Sequence, residues 1–396
     1  MKSYNHLYEI YVSEKNIRIS IVTGTKNHRD KQHYKDMFEN PDDYIKKIRY
    51  YAETFEPEEH YPVQIYDGIS RKKRIIVEPY PYEQIVHHMV INVLKPIFMK
   101  GMYKHSYGSI PKRGGHKGKK VIEKWIGNDH KNVKYCLKAD ITKYYESIKR
   151  ENLKKKLKKI IHDEKFLNIL YKVIDVKLKR NYSIDEDEFN RLLDGLLLGF
   201  YPSQWFGNWY LQDFDHFVKE KLGIKYYIRY MDDIVCFCSN KRKLHKALNE
   251  MKEYLSNLDL EFNGKTQIFR YSYQKKNPHY KDGDDSKYKY IDCGRDLDFM
   301  GFRFFRYRTI LRKSIMLKMT RKARKISRKQ KPTIYDMRQM MAYLGWLNAT
   351  DTYNVYENYI KGIIDFGKYK ERISNYDRRM NKNVETNAKQ RQCKAA

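Results

Sequence analysis

Cysteine is scarce and unpatterned in this 396-residue chain. The five, at 136, 236, 238, 293 and 393, form no CxxC pair, which excludes a zinc framework and a disulfide scaffold and leaves them as reduced thiols. Apolar runs long enough to cross a bilayer, about 18 residues, are absent, and Met1-Lys2-Ser3-Tyr4 opens no secretory signal. No membrane partner and a cytoplasmic location are expected. There is no internal repeat and no Gly/Ser- or Pro-rich linker that would cut the chain into independent modules. Acidic residues are outnumbered by basic ones, 49 against 81, and the resulting net charge of +32 argues against an enzyme of small neutral substrates. A polyanionic partner is the first expectation.

The positive charge is spread over the folded-looking part of the chain. Basic clusters stand at Arg71-Lys72-Lys73-Arg74, Lys154 to Lys159, Lys275-Lys276 and Arg321 to Lys331, between apolar stretches, which suits a lined groove better than a basic arm. Tyrosine alone supplies 37 residues, rings that can stack on bases as well as fill a core. Residues 1–62 are mixed and charged, with a helical pattern from Asp42 to Glu53. From Val63 to Pro79 the alternation reads as strand, basic turn, strand, and Tyr82 to Met99 as a helix with apolar Ile85, Met89, Val90 and Val93. Gly108 to Lys120 reads as a loop with backbone amides and cations facing outward, and basic helices are expected from about Glu151. Beyond Arg312 the chain turns helical and strongly basic, then carries an apolar helix through Met340, Leu344 and Leu347; the last twenty or so residues read as a frayed, charged tail.

Asp232 and Asp233 lie between YYIRY and IVCFC, two stretches of strong β-propensity, so a tight hairpin turn carries them to a sheet edge. Two adjacent carboxylates repel, and a hard divalent cation is the usual remedy. Tyr135 to Ile141 reads as another strand, ending near Asp140. If that strand lies beside the hairpin, three carboxylates converge within metal-bridging distance, the arrangement of two-metal phosphoryl transfer.

The surrounding text makes the pattern specific. Tyr230-Met231-Asp232-Asp233 resembles the YxDD box of reverse transcriptases, and Asp140-Ile141-Thr142-Lys143-Tyr144-Tyr145 resembles their first palm motif. Leu198-Gly199-Phe200-Tyr201-Pro202-Ser203-Gln204 is similar to the GxxxSQ motif; Asn263-Gly264-Lys265-Thr266 and Phe299-Met300-Gly301-Phe302 resemble the fourth palm motif and the primer grip. The motifs stand in family order and span about residues 63 to 365.

The resemblance implies an α+β right-hand polymerase: an N-terminal extension over residues 1–62, fingers over 63–134, a palm of antiparallel sheet and helices over 135–310, and a helical thumb with a basic tail over 311–396. It implies an RNA-directed DNA polymerase, a nucleotidyltransferase, with two Mg2+ ions on Asp140, Asp232 and Asp233. Tyr145 takes the position that excludes a ribose 2′-hydroxyl, and Ser203 and Gln204 begin a helix facing the template and incoming base. Gly199 allows a close backbone approach. Lys73 and Arg74 grasp the triphosphate of the dNTP, with Arg71 and Lys72 as substitutes, and Lys265 protonates the departing pyrophosphate unless it forms a structural salt bridge. Tyr230, Met300 and Gly301 contact nucleic acid, while Arg321 and Arg324 track the duplex backbone.

No stretch suggests an RNase H, integrase or HNH endonuclease domain, so a compact bacterial or phage-type enzyme is expected. Three kinds remain open: defence-associated enzymes, those of diversity-generating retroelements, and retrons, in that order of preference. All imply a dedicated structured non-coding RNA as template, a cDNA product, and an accessory protein or homo-oligomer as a further partner. Other readings are an RNA-dependent RNA polymerase, which Tyr145 speaks against, and a catalytically decayed RNA-binding scaffold, which the intact aspartates speak against.

Overall fold

The computed structural model describes residues 4–66, 72–280 and 289–379. The chain divides into two compact units, one of residues 1–67, 71–114 and 137–268 and the other of 68–70, 115–136 and 269–396. Helix and sheet are mixed in both.

The first unit is built around the helix Pro81–Gly101. Ile85, Val86, Met89, Val90, Ile91 and Leu94 on it are fully buried, so it is apolar on more than one face and behaves as a central helix. Burying each such side chain contributes about 1.5–3 kcal/mol. Helices Leu7–Val12, Glu14–Thr25 and Pro41–Glu53 pack against it, which gives residues 1–62 the helical character expected only for Asp42 to Glu53. Val63–Tyr66 and Lys73–Ile76 pair antiparallel as the expected hairpin, with Ile65 opposite Arg74 and Tyr66 opposite Lys73; its turn, including Arg71, lies outside the described residues.

A five-stranded sheet carries the aspartates, in the order Ser106–Tyr107, Tyr226–Tyr230, Asp233–Cys238, Tyr135–Asp140, Gln267–Arg270. Tyr227, Ile228, Ile234, Val235 and Cys236 are all fully buried, so both faces of the central hairpin are covered, and its strands read as continuous apolar runs.

The second unit contains a three-stranded antiparallel sheet, Leu297–Phe299, Phe302–Phe304 and Thr309–Leu311, and helices Lys313–Ser327 and Ile334–Leu347. Phe302 stacks on Trp346 with ring centroids 4.9 Å apart. Here the expected outward-facing loop needs correction: from Gly115 the glycine- and lysine-rich stretch is the helix Gly115–Asn128. Ile122 and Ile126 bury one side of it, and Lys119, itself buried, pairs with Glu123 one turn on at 2.6 Å. Tertiary burial outweighs the helix-breaking tendency of its glycines. The charged tail from residue 380 lies outside the described residues. Among the described residues no helix is long and apolar enough to cross a membrane.

Candidate active site

Tyr230 pairs with Asp233 across the central hairpin, which leaves Met231 and Asp232 as a two-residue turn at the strand ends. Asp140 closes the neighbouring strand, so sheet order brings it to the same turn. The Asp232 carboxyl is pushed up to about 7: burial penalises its charge most, then Asp140 and Asp233 repel it, and Asp140 stands within hydrogen-bonding reach. Asp140 is held in turn by Asn263, whose side-chain amide donates to Oδ2 and whose backbone N–H donates to the Asp140 carbonyl at 2.8 Å. The expected convergence of three carboxylates is met for two. Asp233 acts on Asp232 through its charge, and among the described residues no three His, Cys, Asp or Glu side chains form a group that could hold a metal ion.

The turn is held from behind. Met231 has φ 57°, a left-handed conformation that costs a non-glycine residue roughly 1–2 kcal/mol. Its N–H donates to the Tyr107 carbonyl (3.0 Å), its carbonyl accepts from Arg229 Nη1 (2.7 Å), and its Sδ accepts from Asn208 Nδ2 (3.1 Å). Gly108 lies against it, since a Cβ there would come within 2.8 Å of the Met231 side chain, and φ at Gly108 is itself +87°. Arg229 is fully buried and forks onto Asp215, Nε to Oδ1 at 2.7 Å and Nη2 to Oδ2 at 2.6 Å, with Tyr227 Oη donating to the same carboxylate at 2.5 Å. Burial pulls the guanidinium pKa down, yet the buried Asp215 more than offsets this and the net shift is upward.

The remaining predicted residues divide by unit. In the first, Tyr145 is half-buried close enough to Asp232 and Arg74 for both charges to act on its hydroxyl, whose pKa rises chiefly through burial. Gly207 makes room for it: a Cβ there would touch both the Tyr144 and Tyr145 rings at 3.3 Å. Lys73 is tied to Glu188 at 2.6 Å, a partner 115 residues away that the basic turn gave no hint of. Gly199 has φ +107° and a Cβ there would meet the Val77 carbonyl oxygen at 2.2 Å, so its close approach is to the chain's own hairpin. Ser203 and Gln204 sit in the first turns of the helix Tyr201–Tyr210, Ser203 buried and Gln204 exposed; Ser203 is inside the helix and does not cap it. Lys265 is exposed on a turn without a carboxylate partner among the described residues. Half-buried Tyr230 packs over Gly108.

In the second unit Met300 and Gly301 form the two-residue turn between Leu297–Phe299 and Phe302–Phe304, both with positive φ, and Gly301 packs against Ile315 and Trp346 too tightly for a Cβ. Arg321 and Arg324 line a depression of about 490 Å³ together with Lys325, Arg328 and Lys329.

Sequence reasoning quoted Asn263 only as part of a motif, without a role, and gave none to Asn208, Asp215 or Gly108. One signal was available: Arg229 stands in an otherwise apolar strand and must find a buried counter-charge. The identity of that counter-charge was not available.

Comparison with known proteins places these observations in a family. A family model described as reverse transcriptase (RNA-dependent DNA polymerase) matches residues 68–304. Protein YkfC of Escherichia coli (strain K12) is 22% identical over 140 residues, an alignment spanning 35% of this chain and 35% of that protein.

Proposed function

The chain belongs to the reverse transcriptase (RNA-dependent DNA polymerase) family, and from that premise we propose that Asp140, Asp232 and Asp233 are its catalytic carboxylates, acting with two magnesium ions. The observation that carries the assignment is the burial of Asp232 beside Asp140 and Asp233: burial first, then the charge of its two neighbours, raises its carboxyl to about 7. Crowded carboxylate oxygens with unrelieved repulsion are a donor set that fits a hard divalent cation. Such ions, when bound, supply charge stabilisation to the attacking primer 3′-oxygen and the departing pyrophosphate.

The chain's own residues do the rest. Asn263 fixes the Asp140 carboxylate, and the Arg229 clamp fixes the turn on which Asp232 rides. Tyr145, beside Asp232, bars a ribose 2′-hydroxyl. Arg74 grips triphosphate oxygens, and Lys73 joins it by exchanging Glu188 for phosphate. Lys265 Nζ gives its proton to the leaving pyrophosphate. Ser203 and Gln204 face the template and incoming base. Tyr230, Met300 and Gly301 contact the nucleic acid, and Arg321 and Arg324 follow the duplex backbone. The motif order supports fingers over 63–134, a palm over 135–310 and a thumb over 311–396, with a structured non-coding RNA as template. The biological role we propose is antiphage defence, supported by Ile110 to His116, which departs from the glycine-rich text of diversity-generating enzymes.

The deciding experiment is incorporation of labelled dNTPs by the purified protein with its co-expressed RNA and magnesium, beside an Asp232→Ala/Asp233→Ala variant. DNA made only with intact aspartates supports the assignment, and its sequence identifies the template. Synthesis undiminished in the variant ends it. In the same assay Tyr145→Ala is expected to raise ribonucleotide use by about 10-fold or more relative to deoxynucleotides, because a steric gate discriminates by volume; unchanged sugar selection removes Tyr145 from that role.

A further inference from the structure

A cavity of about 610 Å³ opens in the first unit, and none of Asp140, Asp232 and Asp233 lines it. It lies where the helices Pro81–Gly101, Arg150–Lys158, Tyr201–Tyr210 and Lys241–Ser256 meet. Its volume is that of a small-molecule site.

Its rim is cationic. Lys100, Lys155 and Lys159 line it and are exposed, and none has an ion-pair partner among the described residues. Lys156 forms a fixed part of the wall, held by the Tyr210 carbonyl (2.9 Å) and Asp213 (2.9 Å) above the Trp209 ring, so its charge is already answered. Asp213 shares the lining and Glu151 feels the charge of Lys155, but none of the three cations is tied to a carboxylate at ion-pair distance among the described residues.

The interior combines flat rings with unmet polar atoms. Tyr4 and Tyr254 line it half-buried, and Ile97 and Leu258 add apolar surface. The Tyr210 hydroxyl, on a residue 2% exposed, has only the Asn152 side chain within reach, and Gln212 Oε1 has no hydrogen-bond partner among the described residues. Neighbouring Asn152 directs its amide to Asp259 at 3.0 Å. Native interiors rarely leave such atoms unpaired. Burial raises the Tyr210 hydroxyl to about 12, so it stays a neutral donor at ordinary pH. Gln212 is given its seat by Gly101, where a Cβ would come within 2.2 Å of Gln212 Nε2. A neutral donor and an amide acceptor inside a ring-lined cavity, beneath a lysine rim, match one nucleotide: a base whose polar edge pairs with Tyr210 and Gln212, and a phosphate outside.

We infer that this cavity is a second nucleic-acid site, which receives a single unpaired nucleotide splayed out from the RNA that the enzyme binds. A free mononucleotide presents the same chemistry, so the test must separate the two. A short single-stranded RNA carrying 4-thiouridine is photocross-linked to the full-length protein, with adenosine monophosphate as competitor, and RNA affinity is followed by fluorescence anisotropy for wild type, Tyr210→Phe and Lys155→Glu/Lys159→Glu.

The expected cross-link maps to the Tyr210 or Tyr254 peptide and resists competition by the mononucleotide. Tyr210→Phe should weaken RNA binding about 5-fold, and the charge reversal about 10-fold or more with a shallower salt dependence. Both variants should extend a pre-annealed primer–template at the wild-type rate, and Tyr210→Phe, which removes at most a contact with Asn152, should lower the thermal midpoint little. Absence of the cross-link, or unchanged affinity in both variants, overturns the site. A cross-link erased by the mononucleotide overturns RNA as its source. Wild-type protein that cross-links here yet extends no primer supports the cavity and counts against the polymerase reading instead.

Discussion

Asp232→Asn is expected to abolish DNA synthesis and, in chelator-containing buffer at about pH 8, to make the protein harder to unfold. The expected loss of activity, on the order of 1,000-fold, is that of removing a charge which, in the proposed function, acts at the reacting phosphoryl group. The gain in stability follows from the burial of this carboxyl and, after it, from the repulsion of Asp140 and Asp233. The Asp232 carboxyl sits at about 7 in the fold against 3.8 for the free side chain, so the fold favours its protonated form. The contribution is fully present below the unfolded value and is lost as pH rises through the folded one. A shift of about 3 units corresponds to about 4 kcal/mol as an upper bound; sharing the proton with Asp140 reduces what one substitution recovers. Asparagine resembles the protonated form, so the variant should gain on the order of 1–4 kcal/mol at about pH 8 and almost nothing at about pH 4. Urea unfolding at the two pH values measures this. Equal stability of the two proteins at the higher pH would mean that the carboxylates are not in conflict, and the argument for a cation-seeking pair would fail.

Breaking the ion pair behind the turn should be as severe, by a different route. Asp215→Asn leaves the fully buried Arg229 guanidinium without its counter-charge, a loss of about 3–5 kcal/mol. The fork also orients Arg229 so that Nη1 holds the Met231 carbonyl, so the turn carrying Asp232 loosens. Replacing both partners, Asp215→Leu with Arg229→Met, removes the stranded charge and should recover most of the stability, since apolar pairs often substitute for buried ion pairs at little cost. DNA synthesis should stay low in that double variant, because the Met231 carbonyl then loses the Arg229 donor that holds it. Recovery of both stability and activity would reduce Arg229 to a packing element. Recovery of stability alone identifies it as a positioning residue for the catalytic turn.

The hairpin Tyr226 to Cys238, the strand ending at Asp140 and the helix through Met89 and Val93 were legible because each is written in local periodicity and turn chemistry. The Met300-Gly301 turn was marked by its short motif alone. The stretch from Gly115 was misread for the opposite reason: glycine and lysine describe a loop locally, while the side of that helix bearing Ile122 and Ile126 is buried by contacts distant in sequence. Gly199 was expected to allow a close backbone approach, and the approach seen is that of Val77, joined to it by the Leu198 carbonyl accepting from the Val77 N–H at 2.8 Å.

Short-range order therefore established the carboxylates, their turn and the family of chemistry, since adjacent residues and strand alternation need no knowledge of the rest of the chain. The pairing of Asp140 with Asn263, of Lys73 with Glu188, and of Arg229 with Asp215 came from folding. A charge or amide in a sequence announces that it needs a partner, but it does not say which of many distant candidates the packing of helices and sheet will bring within 3 Å or so. Those partners hold the Asp140 carboxylate and the turn beneath Asp232 in place.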